Sequence, residues 1–162
     1  MKNFNRNRYL NPYYINPPSH NPRYIRDYVP EPIVVNIGDI TKQNNNFRTA
    51  LWTGKHLQLT LMSINSGESI GLEIHPEVDQ FIRIEQGSGL IQMGNDKNNL
   101  NFQRNVFADY AFIIPAGKWH NLTNIGDIPL KLYSIYAPPN HPKGTVHYTK
   151  ADAEHQDTGT SK

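Results

Sequence analysis

A chain of 162 residues is long enough for one domain with a buried core and short for two. Cysteine is absent, which excludes disulfides and thiolate metal sites, so any metal ion has to be held by imidazole, carboxylate or amide groups. The formal net charge of +2 is unevenly placed: residues 1–32 carry five Lys and Arg against Asp27 and Glu31, a net of +3, which leaves the other 130 residues at −1 and excludes a basic nucleic-acid footprint in the body of the chain.

Residues 1–32 hold six of the twelve prolines, six asparagines and five of the nine tyrosines, with little apolar periodicity. They are expected to form an irregular extension, either loosely ordered or, through the tyrosines and arginines, an interaction segment. No apolar run approaches the roughly 18 residues of a membrane span, and the first residues lack the apolar stretch of a signal peptide. A cytoplasmic protein without membrane association is the expectation. The body, residues 33–155, is expected to be one domain, and residues 156–162 a disordered tail.

Within the body the pattern is β. A short helix is expected at 38–45, and then strand-length segments at 57–64 and 81–86, which alternate apolar and polar residues and end at Gly, Asn or Ser. Further short runs follow at 89–93, 110–114, 119–124 and 130–136, separated by turn-forming sequences such as Asn95-Asp96-Lys97-Asn98-Asn99 and Pro115-Ala116-Gly117. A second short helix is expected at 150–155. Many short strands with regular turns point to an all-β sandwich or barrel. There is no Gly-rich phosphate loop, no Gly-x-Ser-x-Gly elbow and no Cys nucleophile, so nucleotide hydrolysis and acyl transfer by Ser or Cys are not expected.

Two spacings carry more information than the strands. The first is Gly67-x5-Glu73-x-His75-x4-Gln80-x6-Gly87, and the second is Pro115-x-Gly117-x2-His120-x3-Asn124. Together they resemble the two signature motifs of the cupin superfamily. The chain departs from them at three places: Glu73 stands where the family has its first motif His, Gln80 where it has Glu, and Asp109 where it has the Gly that opens the second motif. The resemblance implies a single-domain double-stranded β-helix, or jelly-roll barrel, with a divalent metal (Mn, Fe, Ni, Co or Zn) held by Glu73, His75, Gln80 and His120. A member that has lost its metal stays open as an alternative, because of the Glu and the Gln. Segments such as Asn46-Phe47-Arg48-Thr49-Ala50-Leu51-Trp52 and Pro115-Ala116-Gly117-Lys118-Trp119-His120-Asn121 are similar to small bacterial cupins labelled mannose-6-phosphate-isomerase-like, a likeness covering about three quarters of the chain. It implies pairing into a homodimer and a small-molecule ligand in the barrel, and says little about reaction.

The strand period supports the ligand set independently. Residues i and i+2 of a strand share a face, so Glu73 and His75 project together. Gln80 follows on the next strand after the turn at 76–79, and His120 follows the tight turn at 115–117. Two His and one carboxylate make the donor set of open metal sites, with Gln80 the weakest member. Glu77 is expected to be a solvated charge, and His56, His141, His147 and His155 match no ligand position.

Three readings of function remain. The first is a metal-dependent, isomerase-like enzyme on a small sugar or sugar phosphate. There the metal polarises oxygens, Glu73 or a metal-bound hydroxide is the candidate base, and Tyr136 acts as acid or orients the substrate; Tyr136 shares the parity of Leu130, Leu132 and Ser134, and a plain core tyrosine is its alternative. Arg83, Lys118 and Lys131 are the basic residues near the motifs that a phosphate would need. The second reading is a dioxygenase-like metalloenzyme, and the third a non-catalytic binding or structural module of a coat or assembly. The cavity wall is expected to be apolar, from Ile82, Ile84, Leu122 and Leu132, with Tyr136, Ser134 and Gln80 as its polar members.

Overall fold

The computed structural model describes residues 25–158. Their elements run α1 (Ile37–Gln43), β1 (Arg48–Thr53), β2 (Gln58–Ile64), β3 (Glu73–Ile74), β4 (Asp79–Gln86), β5 (Ser88–Gly94), β6 (Phe102–Phe107), β7 (Ala111–Ile114), β8 (Trp119–Asn124), β9 (Leu130–Ala137), β10 (Val146–His147) and α2 (Lys150–Thr158). The strands form two antiparallel sheets that face one another: six strands in the order β10-β1-β2-β9-β4-β7, and four in the order β3-β8-β5-β6. This is the expected all-β jelly-roll barrel. None of the helices among the described residues is long and apolar enough to cross a membrane.

Register decides what faces inward. Across the large sheet, Gln58, Tyr136 and Gln80 form one row, Thr60, Ser134 and Ile82 the next, and Met62, Leu132 and Ile84 the one after. All nine are on the inner face, because directly paired residues share a side. The interior therefore changes character along the strands, polar at one end and apolar at the other. Ile64, Leu130 and Leu132 at the apolar end meet Ile91 and Leu122 of the small sheet in one core, each such side chain stabilising by about 1.5–3 kcal/mol on burial. The opposite face of the large sheet is covered by α1 and the chain leading to it, where Ile40, Leu51 and Leu61 pack with Ile25, Tyr28, Ile33 and Val35. Asn36 caps α1, its Oδ1 accepting from the Asp39 N–H at 3.2 Å.

Residues 25–32, expected to belong to an irregular extension, are instead fastened to the barrel. Tyr28 N–H donates to Leu51 O at 3.0 Å, and the Trp52 indole donates to Glu31 O at 3.0 Å. The Asp27 carboxylate accepts from Thr53 Oγ1 at 2.6 Å, Thr53 N–H at 3.2 Å, Val29 N–H at 3.2 Å and Gly144 N–H at 2.9 Å. Three of those donors are backbone amides, which composition does not reveal. Residues 1–24, the rest of that expectation, lie outside the described residues. At the other end α2 continues to Thr158, into the segment 156–162 expected to be a disordered tail, and residues 159–162 again lie outside.

Partial burial opposes ionisation of Asp27, but the bonds from Thr53, Gly144 and Val29 overcome this and hold its carboxyl below the usual range. Asp27→Ala is expected to lower the unfolding free energy by about 1–3 kcal/mol in urea titrations at neutral pH. A depressed folded-state pKa gives stability that is present above the ordinary carboxylate range and lost as pH falls through the lowered value, so the gap between variant and wild type should close in acid.

Candidate metal centre

Glu73 on β3 and His120 on β8 are direct cross-strand partners, so their side chains leave the sheet on one side. His75, two residues after Glu73, joins them on that side. Glu73 Oε1 lies 3.3 Å from His120 Nε2 and 3.5 Å from His75 Nε2, and the donor atoms of the three residues all lie within 4.8 Å of one another. The turn before β8 holds the two segments together. Gly117, at φ 77°, donates its N–H to His75 O at 2.8 Å, and Ala116 N–H donates to Asp79 Oδ1 at 2.9 Å. A side chain at 117 would be strained in that left-handed conformation.

The hydrogen bonds aim the donors. His120 is fully buried, and its Nδ1 donates to Lys118 O at 2.9 Å, which leaves the lone pair of Nε2 pointing at the Glu73 carboxylate. A proton or a metal cation between Nε2 and the carboxylate, 3.3 Å apart, satisfies both. His75 Nε2 is buried with no hydrogen-bond partner and borders the same point. Burial opposes ionisation of Glu73, yet the contacts of His120 and His75 and the positive field of Arg48 outweigh it, holding the carboxyl well below the usual range. An ionised carboxylate, an imidazole fixed through its other nitrogen and a second imidazole with a free Nε2 fit a transition-metal ion.

Gln80 and Tyr136 stand beside this group. Gln80 Nε2 donates to Ser134 Oγ at 2.9 Å, which leaves Gln80 Oε1 buried without a partner; that carbonyl oxygen is the ligand atom Gln80 has to offer. The Tyr136 hydroxyl is likewise buried with no hydrogen-bond partner. Its ring lies edge-on to His75 at 5.7 Å and to His141 at 5.1 Å. Burial pushes the Tyr136 hydroxyl up, so it stays protonated and able to donate.

The family model described as Cupin domain matches residues 60–136, the stretch that contains all five of these residues. The chain is also 70% identical over 129 residues to the uncharacterized protein YrkC of Bacillus subtilis (strain 168), spanning 80% of this chain and 69% of that protein. The chain belongs to the cupin superfamily. The crystal structure of BH2720 from Bacillus halodurans is similar to this cupin at 65% identity and a TM-score of 0.80, over 81% of this chain and 99% of that one. The uncharacterized protein L612 of Acanthamoeba polyphaga mimivirus is 40% identical over 115 residues, 70% of this chain and 69% of that protein.

What lies around the centre of this cupin differs from the sequence expectation. Ile82, Ile84, Leu122 and Leu132 belong to the core at the apolar end. The space over the centre is a cavity of about 1060 Å³, bounded by Glu73, Ile74 and His75 on one side and by residues 140–148 with His155 on the other. Thus His141, His147 and His155, which match no ligand position, wall the cavity. Gln58 fixes this roof: its Nε2 donates to His141 O at 2.9 Å and its Oε1 accepts from His141 N–H at 2.9 Å. The three basic residues weighed for a phosphate have other partners. Arg83 pairs with Glu85 and Asp109, Lys118 with Asn95, and Lys131 with Asn44 O and Asn45. A residue the motifs do not flag, Arg48, is buried inside. The signal for it was a charged residue within an otherwise apolar or small run, Phe47-Arg48-Thr49-Ala50-Leu51.

Two outcomes follow from this geometry. His75→Ala and His120→Ala should each abolish metal retention, read as metal per chain by plasma mass spectrometry, while Gln80→Ala should weaken it by about 10- to 100-fold. Burial and the nearby Arg48 push His141 down to about 3, so it stays neutral in the fold while the unfolded chain takes up a proton in mild acid. Stability should therefore fall with pH through the ordinary imidazole range, by at most about 1.4 kcal/mol per pH unit from this residue, and His141→Gln should flatten that slope in urea titrations between roughly pH 4 and 6.

Proposed function

We propose that this cupin is a divalent-metal-dependent enzyme acting on a small oxygen-bearing substrate. The reading is carried by the convergence of one carboxylate and two imidazole donors, their lone pairs turned to a common point, at the wall of a cavity of about 1060 Å³. Glu73, His75 and His120 would hold the ion, with Gln80 Oε1 as a weaker fourth donor. Nitrogen and oxygen donors in this ratio suit Mn, Fe, Co, Ni or Zn better than Mg or Ca, and leave coordination positions for a substrate. When bound, the ion supplies Lewis acidity to a substrate oxygen.

The chain's own groups do the rest. Glu73 brings the negative charge that offsets part of the ion's, and Lys118 O fixes the ring of His120. Tyr136, kept protonated by burial, would donate a hydrogen bond to an oxygen that gains charge in the reaction. The isomerase-like reading needs in addition a base that works near neutral pH. Glu73 is held too acidic for that task and serves best as a ligand, and His141, at about 3, is also a weak base. A sugar phosphate would further need a cation that Arg83, Lys118 and Lys131 do not supply. A small hydroxylated or carboxylated substrate that needs orientation and one hydrogen-bond donor fits these groups better.

Protein loaded in turn with Mn, Fe, Co, Ni and Zn would be screened by mass spectrometry against small hydroxy acids, sugars and sugar phosphates. The expected result is turnover with at least one metal, abolished in His120→Ala and reduced about 100-fold in Tyr136→Phe at unchanged metal content. Turnover indifferent to His120→Ala, or protein that takes up none of the five metals, would sink the proposal.

A further inference from the structure

Arg48 is a cation inside the barrel with no carboxylate in contact among the described residues. It lies on the inner face of β1 in the row His147, Arg48, Met62, Leu132, Ile84, and it is 3% exposed. Its guanidinium sits over the Phe47 ring at 5.6 Å, Nη1 faces His147 Nδ1 at 3.5 Å, and Nε is buried with no hydrogen-bond partner. No ion pair among the described residues includes it. Removing a guanidinium from water without a counter-charge or a full set of acceptors is costly, and a fold that keeps one there gains when an anion arrives.

The surroundings say where that anion enters and of what kind it is. His147, the immediate neighbour of Arg48, lines the cavity together with Glu73, His75 and Lys143. Arg48 is not itself among the lining residues; it stands directly behind His147, with Nη1 3.5 Å from His147 Nδ1, so a rotation of that ring opens the guanidinium to the cavity. Among the described residues Glu73 is the only acid in the cavity lining, and a divalent ion beside it would leave the space net positive. The Nε edge of a guanidinium is a flat two-donor fork that matches the two oxygens of a carboxylate. Among the described residues Lys143 is the only Lys or Arg that lines the cavity, where a phosphate is commonly gathered by several such cations.

We propose that Arg48 anchors the carboxylate of a small organic acid, which enters through the cavity over Glu73 and His75 with its other oxygen functions turned to the metal centre. This names a substrate class for the enzyme reading above and rests on that reading only for the second contact.

The test uses lactate as probe, lactamide as its neutral counterpart and inorganic phosphate as a rival anion, by titration calorimetry at fixed ionic strength on the full chain. Wild-type protein should bind lactate and bind lactamide at least about tenfold more weakly. Arg48→Met and Arg48→Gln should lose about 100-fold in lactate affinity with metal per chain unchanged, and Arg48→Lys, which keeps the charge without the fork, should fall between. Ligand-free Arg48→Met should melt no lower than wild type, because it removes a buried, uncompensated charge. In His120→Ala, lactate binding should be weakened and still depend on Arg48, which separates this proposal from the metal reading. The proposal is overturned if Arg48→Met binds lactate as wild type does, if the ligand-free variant melts well below wild type as a purely structural arginine would require, or if phosphate binds more tightly than lactate.

Discussion

The antiparallel pairing of β3 with β8 is the constraint on which the centre depends, because it sets Glu73 opposite His120. β3 is only two residues long, too short to hold a register by its own ladder. Its position comes from the turn at 115–118, where the Gly117 N–H reaches His75 O and the Ala116 N–H reaches Asp79. Metal donors, turn and strand pairing thus form one unit, in which a shift of register by one residue would turn Glu73 away from both histidines.

The same geometry explains why a barrel with so polar an interior is stable. Along β2, β4 and β9 the inner face changes from Ile, Leu and Met to Gln, Ser, Thr and Tyr within a few residues. The apolar end supplies the buried area and the polar end the chemistry. Unpartnered atoms of Gln80, Thr60 and Tyr136 lie in the two polar rows and that of His75 beside Glu73, a concentration that a ligand and an ion would relieve.

How much of this was legible in the sequence follows from what a period-two pattern can carry. Parity tells which face a residue is on, and so Glu73 with His75, and Tyr136 with Ser134, were assigned to the interior correctly. Parity says nothing of depth, and so Ile82, Ile84, Leu122 and Leu132 were placed on the cavity wall when they lie in the core. Six strands and both helices were visible as local patterns. β6 was not, being an edge strand whose residues are mostly exposed and polar. β1, which pairs with β2 nearby in the chain, was also missed, and β10 was missed for a different reason: its partner lies about a hundred residues away, Arg48 with His147. No local pattern announces such a contact, and the part of the cavity it builds went unseen with it. The ties of residues 25–32 to the barrel left no trace in composition because they run mostly to backbone amides and carbonyls.

The roof of the cavity is moored differently from the barrel beneath it. β10 shares only two registered residue pairs with β1, and the roof is otherwise tied by backbone bonds from Phe47 and Ala50 and by side-chain bonds from Gln58 and Asp27. β2 and β9, in contrast, are paired over seven residues. Amide hydrogens of the roof should therefore exchange with solvent through small local openings, while those of the central ladder wait for global unfolding. Local opening of the roof would widen access to the cavity while leaving Glu73, His75 and His120 in place.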